Sequence, residues 1–449
     1  MFLALKQRKQ LFLNSLQAFG FFLSALAAFP SRADDLRITT FGRNGQMTVT
    51  NTFTNGVVTV EKASSPGGPW APEKNVFSLD SVAGLQLGLT GSLGFFRALA
   101  VDISTPDGFT NLVNSYSLLT TVAGAGGTSI SPNNKWDPAS EGGPAVEAFL
   151  SRPHIAMADR AGNIYIADKE GHAIRKVTLD GLIHTVAGIN SPDYGTTDPA
   201  PATTVALKNP NGIWVLPDGT FYILDRDNGL IRRVDTQGLL TTIIDHGGPI
   251  PEGRGLWVSS DESVILYCAG TEVRQWDTTN GLSVLVDGFR QLGNLAVDPQ
   301  GRLAVTDRGA SLVYRIESDL TKTVIAGNGL SFGGGDGELA TDTGLWQVRG
   351  IWFLPTGAYF LATDSGSQVW YVDVDGYIHL FLNGNVVAHD GDGSWFYDPL
   401  TPKVSKIRQI TMTYDGDLII TENDSGYVRR VQFLRNVPTP PPVDPGFQP

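Results

Sequence analysis

Leu118 to Gly124, Leu-Leu-Thr-Thr-Val-Ala-Gly, decides how this chain folds, because the same strand pattern returns five times downstream. The later copies read Leu182 to Gly188 (LIHTVAG), Leu239 to Asp245 (LLTTIID), Leu282 to Gly288 (LSVLVDG), Thr321 to Gly327 (TKTVIAG) and Tyr377 to Gly384 (YIHLFLNG). Each later copy ends a unit of three other apolar runs, whereas the copy at Leu118 precedes the first unit. A ring sealed by its own two ends requires that displacement.

In the first unit the other runs are Ile155 to Asp159, Asn163 to Asp168 and Ala173 to Val177. Alternating aliphatics cut by Gly and Asp at short spacing indicate antiparallel strands. The same order recurs over Gly212 to Val234, Gly255 to Trp276, Asn294 to Ile316, Gly350 to Val372 and Gln409 to Val431. An acid ends the second strand at Asp168, Asp225, Asp307, Asp364 and Glu422, at intervals of 57, 82, 57 and 58 residues. The interval of 82 holds two units of about 40 residues, the length of a four-stranded blade, with Ala269 at the missing place. The last unit has no closing strand after Val431, and the copy at Leu118 supplies it. A closed sheet exposes no edge, so the reading is all-β: a six-bladed β-propeller over 116–434.

Ala148-Phe149-Leu150-Ser151-Arg152-Pro153, followed by GNIYIAD, AIRKV and LIHTVAG, resembles the NHL-repeat propellers, of secreted bacterial type. Gly142-Gly143-Pro144-Ala145 resembles the linker those proteins place between blades. The resemblance spans about Leu118 to Phe433 and is strongest in the first two units. The places of the naming tripeptide hold Gly171-His172-Ala173 and Asn228-Gly229-Leu230.

Residues 1–33 read as a secretory signal. Lys6, Arg8 and Lys9 open it, Leu11 to Ala28 is largely apolar, and Ser31-Arg32-Ala33 or Ala25-Leu26-Ala27 offers small residues for cleavage. The alternative is an uncleaved anchor, with Asn14, Ser15 and Gln17 against it. The expected address is extracellular, periplasmic or cell envelope. Removing this acid-free segment takes the formal net charge from −12 to −16, which argues against nucleic acid or an anionic membrane as partner. Cys268 is the only cysteine, so no internal disulfide forms. Residues 34–115 alternate Thr, Val and Phe between turns at Asn55-Gly56 and Pro66-Gly67-Gly68-Pro69, and read as a small β-sandwich-like module. Residues 435–449 are a Pro-rich tail.

Aligning the inner strands sets His154, Asn211, Arg254, Gly293, Arg349 and Arg408 around one mouth of the channel, with Asn294 a residue deeper. Three converging arginines attract carboxylate, sulfate or phosphate, because guanidinium forks match those anions in paired hydrogen bonds. The opposing expectation is that Asp168, Asp225, Asp307, Asp364 and Glu422, on the same face, neutralise them blade by blade. Those acids otherwise serve turns and strand ends. The connections 125–150, 189–207, 328–347 and 385–406 are long and form a raised rim. Their aromatics Trp136, Tyr194, Phe332, Trp346, Trp395, Phe396 and Tyr397 either stack on a sugar or a partner, or pin their own loops. Trp214, Trp257 and Trp352 recur at one place in three inner strands, which suits packing between blades.

The expected function is non-catalytic recognition of a glycan, peptide or small anion, with no cofactor. The competing reading is a metal-dependent hydrolase, because similar six-bladed propellers include calcium-dependent lactonases. That chemistry needs oxygen ligands in the channel. Asn211, Asn294 and Glu422 are candidates, but three arginines at the same opening repel a dication. No HExxH occurs, and Cys268 lies in an apolar strand. Asp390-Gly391-Asp392-Gly393-Ser394 and Gly335-Asp336-Gly337-Glu338 cluster oxygens for calcium, yet Trp395 and Thr401 replace the Gly and Glu of an EF-hand loop.

Overall fold

The computed structural model describes residues 36–88, 94–104, 107–127, 134–194 and 198–435, with the backbone of strand Lys9–Leu13. The expected signal segment lies outside the described residues apart from that strand, and the tail beyond 435 lies outside them entirely.

Leu118–Gln432 is one compact unit. It contains six sheets of four main antiparallel strands, two of which gain a two-residue fifth strand, Ala200–Pro201 or Ser394–Trp395. The inner strands are Pro153–Ala158, Pro210–Val215, Leu256–Val258, Leu292–Val297, Val348–Phe353 and Ile407–Met412. Each packs on the next, and the last returns to the first. Ring closure falls where the sequence places it. Tyr427–Val431 pairs antiparallel with Leu118–Ala123, from Val428 opposite Ala123 to Val431 opposite Leu119. The chain is therefore a six-bladed β-propeller whose sixth blade joins both ends of the repeat array.

The linkers repeat more regularly than the sequence suggests. Backbone N–H groups of Gly124, Gly188 and Gly327 donate to the carbonyls of Ala145, Ala202 and Ala340, each in a short 3-10 turn. Those alanines donate in turn to Gly181, Gly238 and Gly376, on the outer turn of the following blade. All three are about 1% exposed, so each linker is a strap that ties adjacent blades.

The second compact unit comprises Met1–Ser117 and Phe433–Pro449. One of its sheets pairs Arg37–Phe41, Gln46–Thr50 and Val82–Gln86. The other contains Ala71–Ser78, Gly56–Ala63, Phe95–Asp102 and Lys9–Leu13. Ile38, Met47 and Val49 share one core with Val58, Val60 and Ala98, so the two sheets form a sandwich. The boundaries shift from those expected. Phe433 stacks on Phe77 with ring centroids 4.5 Å apart and Arg435 pairs with Glu61 at 2.6 Å, so the end of the described chain belongs with this module.

Candidate functional site

A backbone irregularity brings the mouth residues together. In blades 1, 2, 4, 5 and 6 the pairing of the first two strands shifts register, leaving His154, Asn211, Gly293, Arg349 and Arg408 in the slipped segment. A bulge of this kind bends the strand and re-aims a side chain. Two residues before the mouth position in blades 1, 2, 3, 5 and 6, Arg152, Asn209, Glu252, Gln347 and Lys406 adopt left-handed φ values of 46° to 60°, turning each connection into its inner strand. Gly293 is glycine because a Cβ there would lie 3.0 Å from the Arg349 Cα and 2.5 Å from Thr306 Oγ1.

Of the repeated acids, only Asp364 neutralises the mouth. Asp168, Asp225 and Glu422 pair instead with Arg175, Arg232 and Arg429 on the third strand of their own blades. Asp168, Asp225, Asp307 and Glu422 also accept backbone N–H bonds from Ser151, Lys208, Arg290 and Ser405, each 17 residues earlier. They fasten the incoming loop to the blade, as strand-end devices. In blade 5 the third strand carries no such arginine, and Asp364 turns to Arg349 at 2.7 Å and Arg408 at 2.8 Å. The expectation of blade-by-blade neutralisation therefore holds for one blade.

The collar is larger than the sequence reading. Arg308 joins it, sharing Glu252 with Arg254 at 2.9 and 2.8 Å. Arg152 pairs with Glu170 and Asp424, each at 3.0 Å, and Arg408 lies 3.5 Å from Asp424. Lys169 lies 3.9 Å from Glu170. A signal for two of these additions exists: Lys169 and Arg308 each directly follow the repeated acid of their blade.

Positive charge exceeds what the carboxylates take up. Burial, Arg408, Arg254 and Arg308 push Arg349 down to about 8, against the raising effect of Asp364. Burial and Arg308 push Arg254 down to about 10, against Glu252. A guanidinium does not release its proton in a protein, so the collar is relieved by gaining negative charge. Arg349 Nε and Nη1 make no hydrogen bond among the described residues, nor does Nε of Arg254, Arg308 or Arg408. The acceptors Asp364 Oδ1, Asn211 Oδ1 and Glu170 Oε2 are in the same condition. His154, 4% exposed, is held well below its ordinary value by burial first and then by Lys169, Arg408, Arg254 and Arg349. It is neutral at pH 7.

Two of the three candidate metal ligands, Asn294 and Glu422, are engaged within the protein. Asn211 Nδ2 donates to the Gly253 carbonyl, Asn294 Oδ1 accepts from Leu295 N–H, and Glu422 is bound by Arg429 and Ser405. In the two acidic loops, Asp392 pairs with Arg429 at 2.8 Å and accepts from Thr121, and Asp336 accepts from Leu380 N–H. No group of three or more His, Cys, Asp or Glu among the described residues is arranged to hold a metal. Cys268 is fully buried and its thiol is pushed up to about 12 by burial.

The loop aromatics divide. Trp136 is 8% exposed beneath the Arg175 guanidinium, 3.6 Å from its ring centroid, and so pins its loop. Phe396 is buried against Phe381. Tyr397 is half-buried beside Trp395. Trp346, Phe332, Tyr194 and Trp395 remain exposed. Trp214, Trp257 and Trp352 do more than pack between neighbours, because Trp214 of blade 2 stacks on Trp352 of blade 5, 6.1 Å away across the axis. They close the far end of the channel. The mouth and the floor thus sit at opposite ends of one shaft.

Fold and site together define a six-bladed propeller with a cationic channel mouth, preceded in the chain by a β-sandwich. No known family profile matches the chain. Human teneurin-4 aligns over 319 residues at 25% identity, covering 64% of this chain and 10% of that protein. The chain thus spans about a tenth of the curated relatives it first matches. A Bacteroides thetaiotaomicron protein of unknown function superposes with a TM-score of 0.53 at 13% identity, over 90% of this chain and 100% of its own. An auxiliary nutrient binding protein from Bacteroides ovatus superposes with a TM-score of 0.52 at 14% identity, over 89% and 98%. At such identities the likeness speaks for the fold. No helix among the described residues is long and apolar enough to cross a membrane.

Proposed function

We propose that this chain is a non-catalytic recognition protein of NHL-like repeats that binds a small anion at the collar formed by Arg254, Arg308, Arg349 and Arg408. The observation that carries the reading is Arg349. Its side chain is 7% exposed, yet two of its nitrogens make no hydrogen bond among the described residues while three further guanidiniums face it. A buried donor without an acceptor is costly, and a carboxylate, sulfate or phosphate supplies the acceptor together with the missing charge. The name of the Bacteroides ovatus protein, a nutrient binder, is in keeping with a binding role. Export to the envelope or medium is part of the same proposal, resting on the reading of residues 1–33.

The lactonase-type alternative is disfavoured by the donor set, since Asn294 Oδ1 and the Glu422 carboxylate are already engaged within the protein and the collar repels a dication. A glycan or peptide body beside the anion finds Trp346 exposed three residues before Arg349.

Calorimetric titration with sulfate, phosphate and simple carboxylates tests the proposal. Arg254→Ala combined with Arg349→Ala should weaken binding by about 2–5 kcal/mol, the range for truncating buried charged contacts. Equal affinity in the double variant, or no anion bound by the wild type at millimolar concentration, removes the collar as the site.

A further inference from the structure

Directly beneath the collar the shaft changes chemistry. A cavity of about 80 Å³ lies on the axis, with walls from all six inner strands. Ile155 and Gln409 in its wall directly follow the collar residues His154 and Arg408 along their strands. One residue along a strand is about 3.3 Å, so collar and cavity are successive layers. Lower down the wall is apolar, with Met157, Ala296 and Phe353, and Trp214 and Trp352 floor it. An inorganic anion uses the donors above and leaves this space unfilled.

We propose that the ligand is a small amphiphilic anion, a monocarboxylate whose head sits in the collar and whose apolar tail of about three to five carbons fills the cavity. This rests on the collar reading and names the ligand class. The tail length follows from volume: an apolar cavity of about 150 Å³ takes up benzene, and this one has roughly half that space. The head must be anionic because the layer above holds four guanidiniums sharing Glu252, Asp364 and Asp424. The tail must be short because the stacked indoles of Trp214 and Trp352 close the far end. Gln409 Oε1, in the cavity wall, makes no hydrogen bond among the described residues, so a hydroxyl on the tail would find an acceptor there.

Calorimetry with sulfate, acetate, butyrate, hexanoate and decanoate reads this directly. Affinity should rise about fourfold per methylene from acetate, the equivalent of about 0.8 kcal/mol for each buried CH₂, and then level off by hexanoate. Ala296→Leu narrows the cavity without touching the collar; it should bind sulfate and acetate as the wild type does and lose the gain with chain length. Trp352→Ala opens the floor and should carry the gain on to decanoate. Sulfate bound with no dependence on chain length overturns this inference and leaves the collar reading standing. Failure of sulfate and every carboxylate to bind overturns both. Where Ala296→Leu fails to fold, the wild-type series and Trp352→Ala still decide, since a chain-length optimum unmoved by opening the floor also overturns the proposal.

Discussion

His154 shows how a single side chain reports the electrostatics of the mouth. It sits in the slipped segment of its strand, almost fully buried, among cations that hold it neutral. In the unfolded chain a histidine takes up its proton near pH 6.5. Below that value the unfolded state binds a proton that the folded state refuses, so stability falls as the pH drops. Asp225 acts with the opposite sign: burial raises it to about 6, so its folded form holds a proton between about pH 4 and 6 and is favoured toward acid. Comparing wild type with His154→Asn isolates the histidine. Melting temperatures measured from pH 7.5 to 5 should show the variant gaining on the wild type progressively below about pH 6.5. A gap that does not change with pH would mean His154 titrates normally in the folded protein.

Among the elements, strands were easier to foresee than the straps between them. The alternation of NIYIAD and AIRKV marks strands because successive side chains face opposite sides of a sheet. The linker was read at Gly142 to Ala145 only; Ala202 and Ala340 do the same work, each followed five residues later by a buried leucine, Leu207 and Leu345, as Ala145 is by Leu150. What recurs there is a backbone hydrogen-bond pattern and a tight space, and its mark in the sequence is thin: an alanine and a leucine five residues on. Ala202→Leu should therefore cost about 1–3 kcal/mol by overpacking, read as a lower denaturant midpoint for the propeller. Wild-type stability in that variant would show that the strap tolerates bulk. The bulges belong to this scale too. They aim Asn211, Arg349 and Arg408 at the axis, and nothing in the residues themselves announces the slip.

At the scale of the whole molecule, two compact units share one chain, and the end of the described chain belongs with the first. Phe433 is 4% exposed between Phe77 and Tyr116. Phe433→Ala should cost the sandwich about 3–5 kcal/mol, seen in calorimetry as an earlier transition for that unit with the propeller transition unmoved. A single unchanged melting profile would contradict the division. The sequence by itself determined the β class, the six repeats and the closure of the ring, because strand periodicity and a displaced copy are one-dimensional signals. It also placed Arg254, Arg349 and Arg408 around one opening, since equivalent positions in equivalent strands must share a face. Only the tertiary structure decided which acid meets which arginine. The same carboxylate in four blades is occupied within its own blade, whereas Asp364, with no arginine on its third strand, reaches the axis. Pairing between charges depends on distance in space, and strands from different blades acquire that proximity only when the ring is closed.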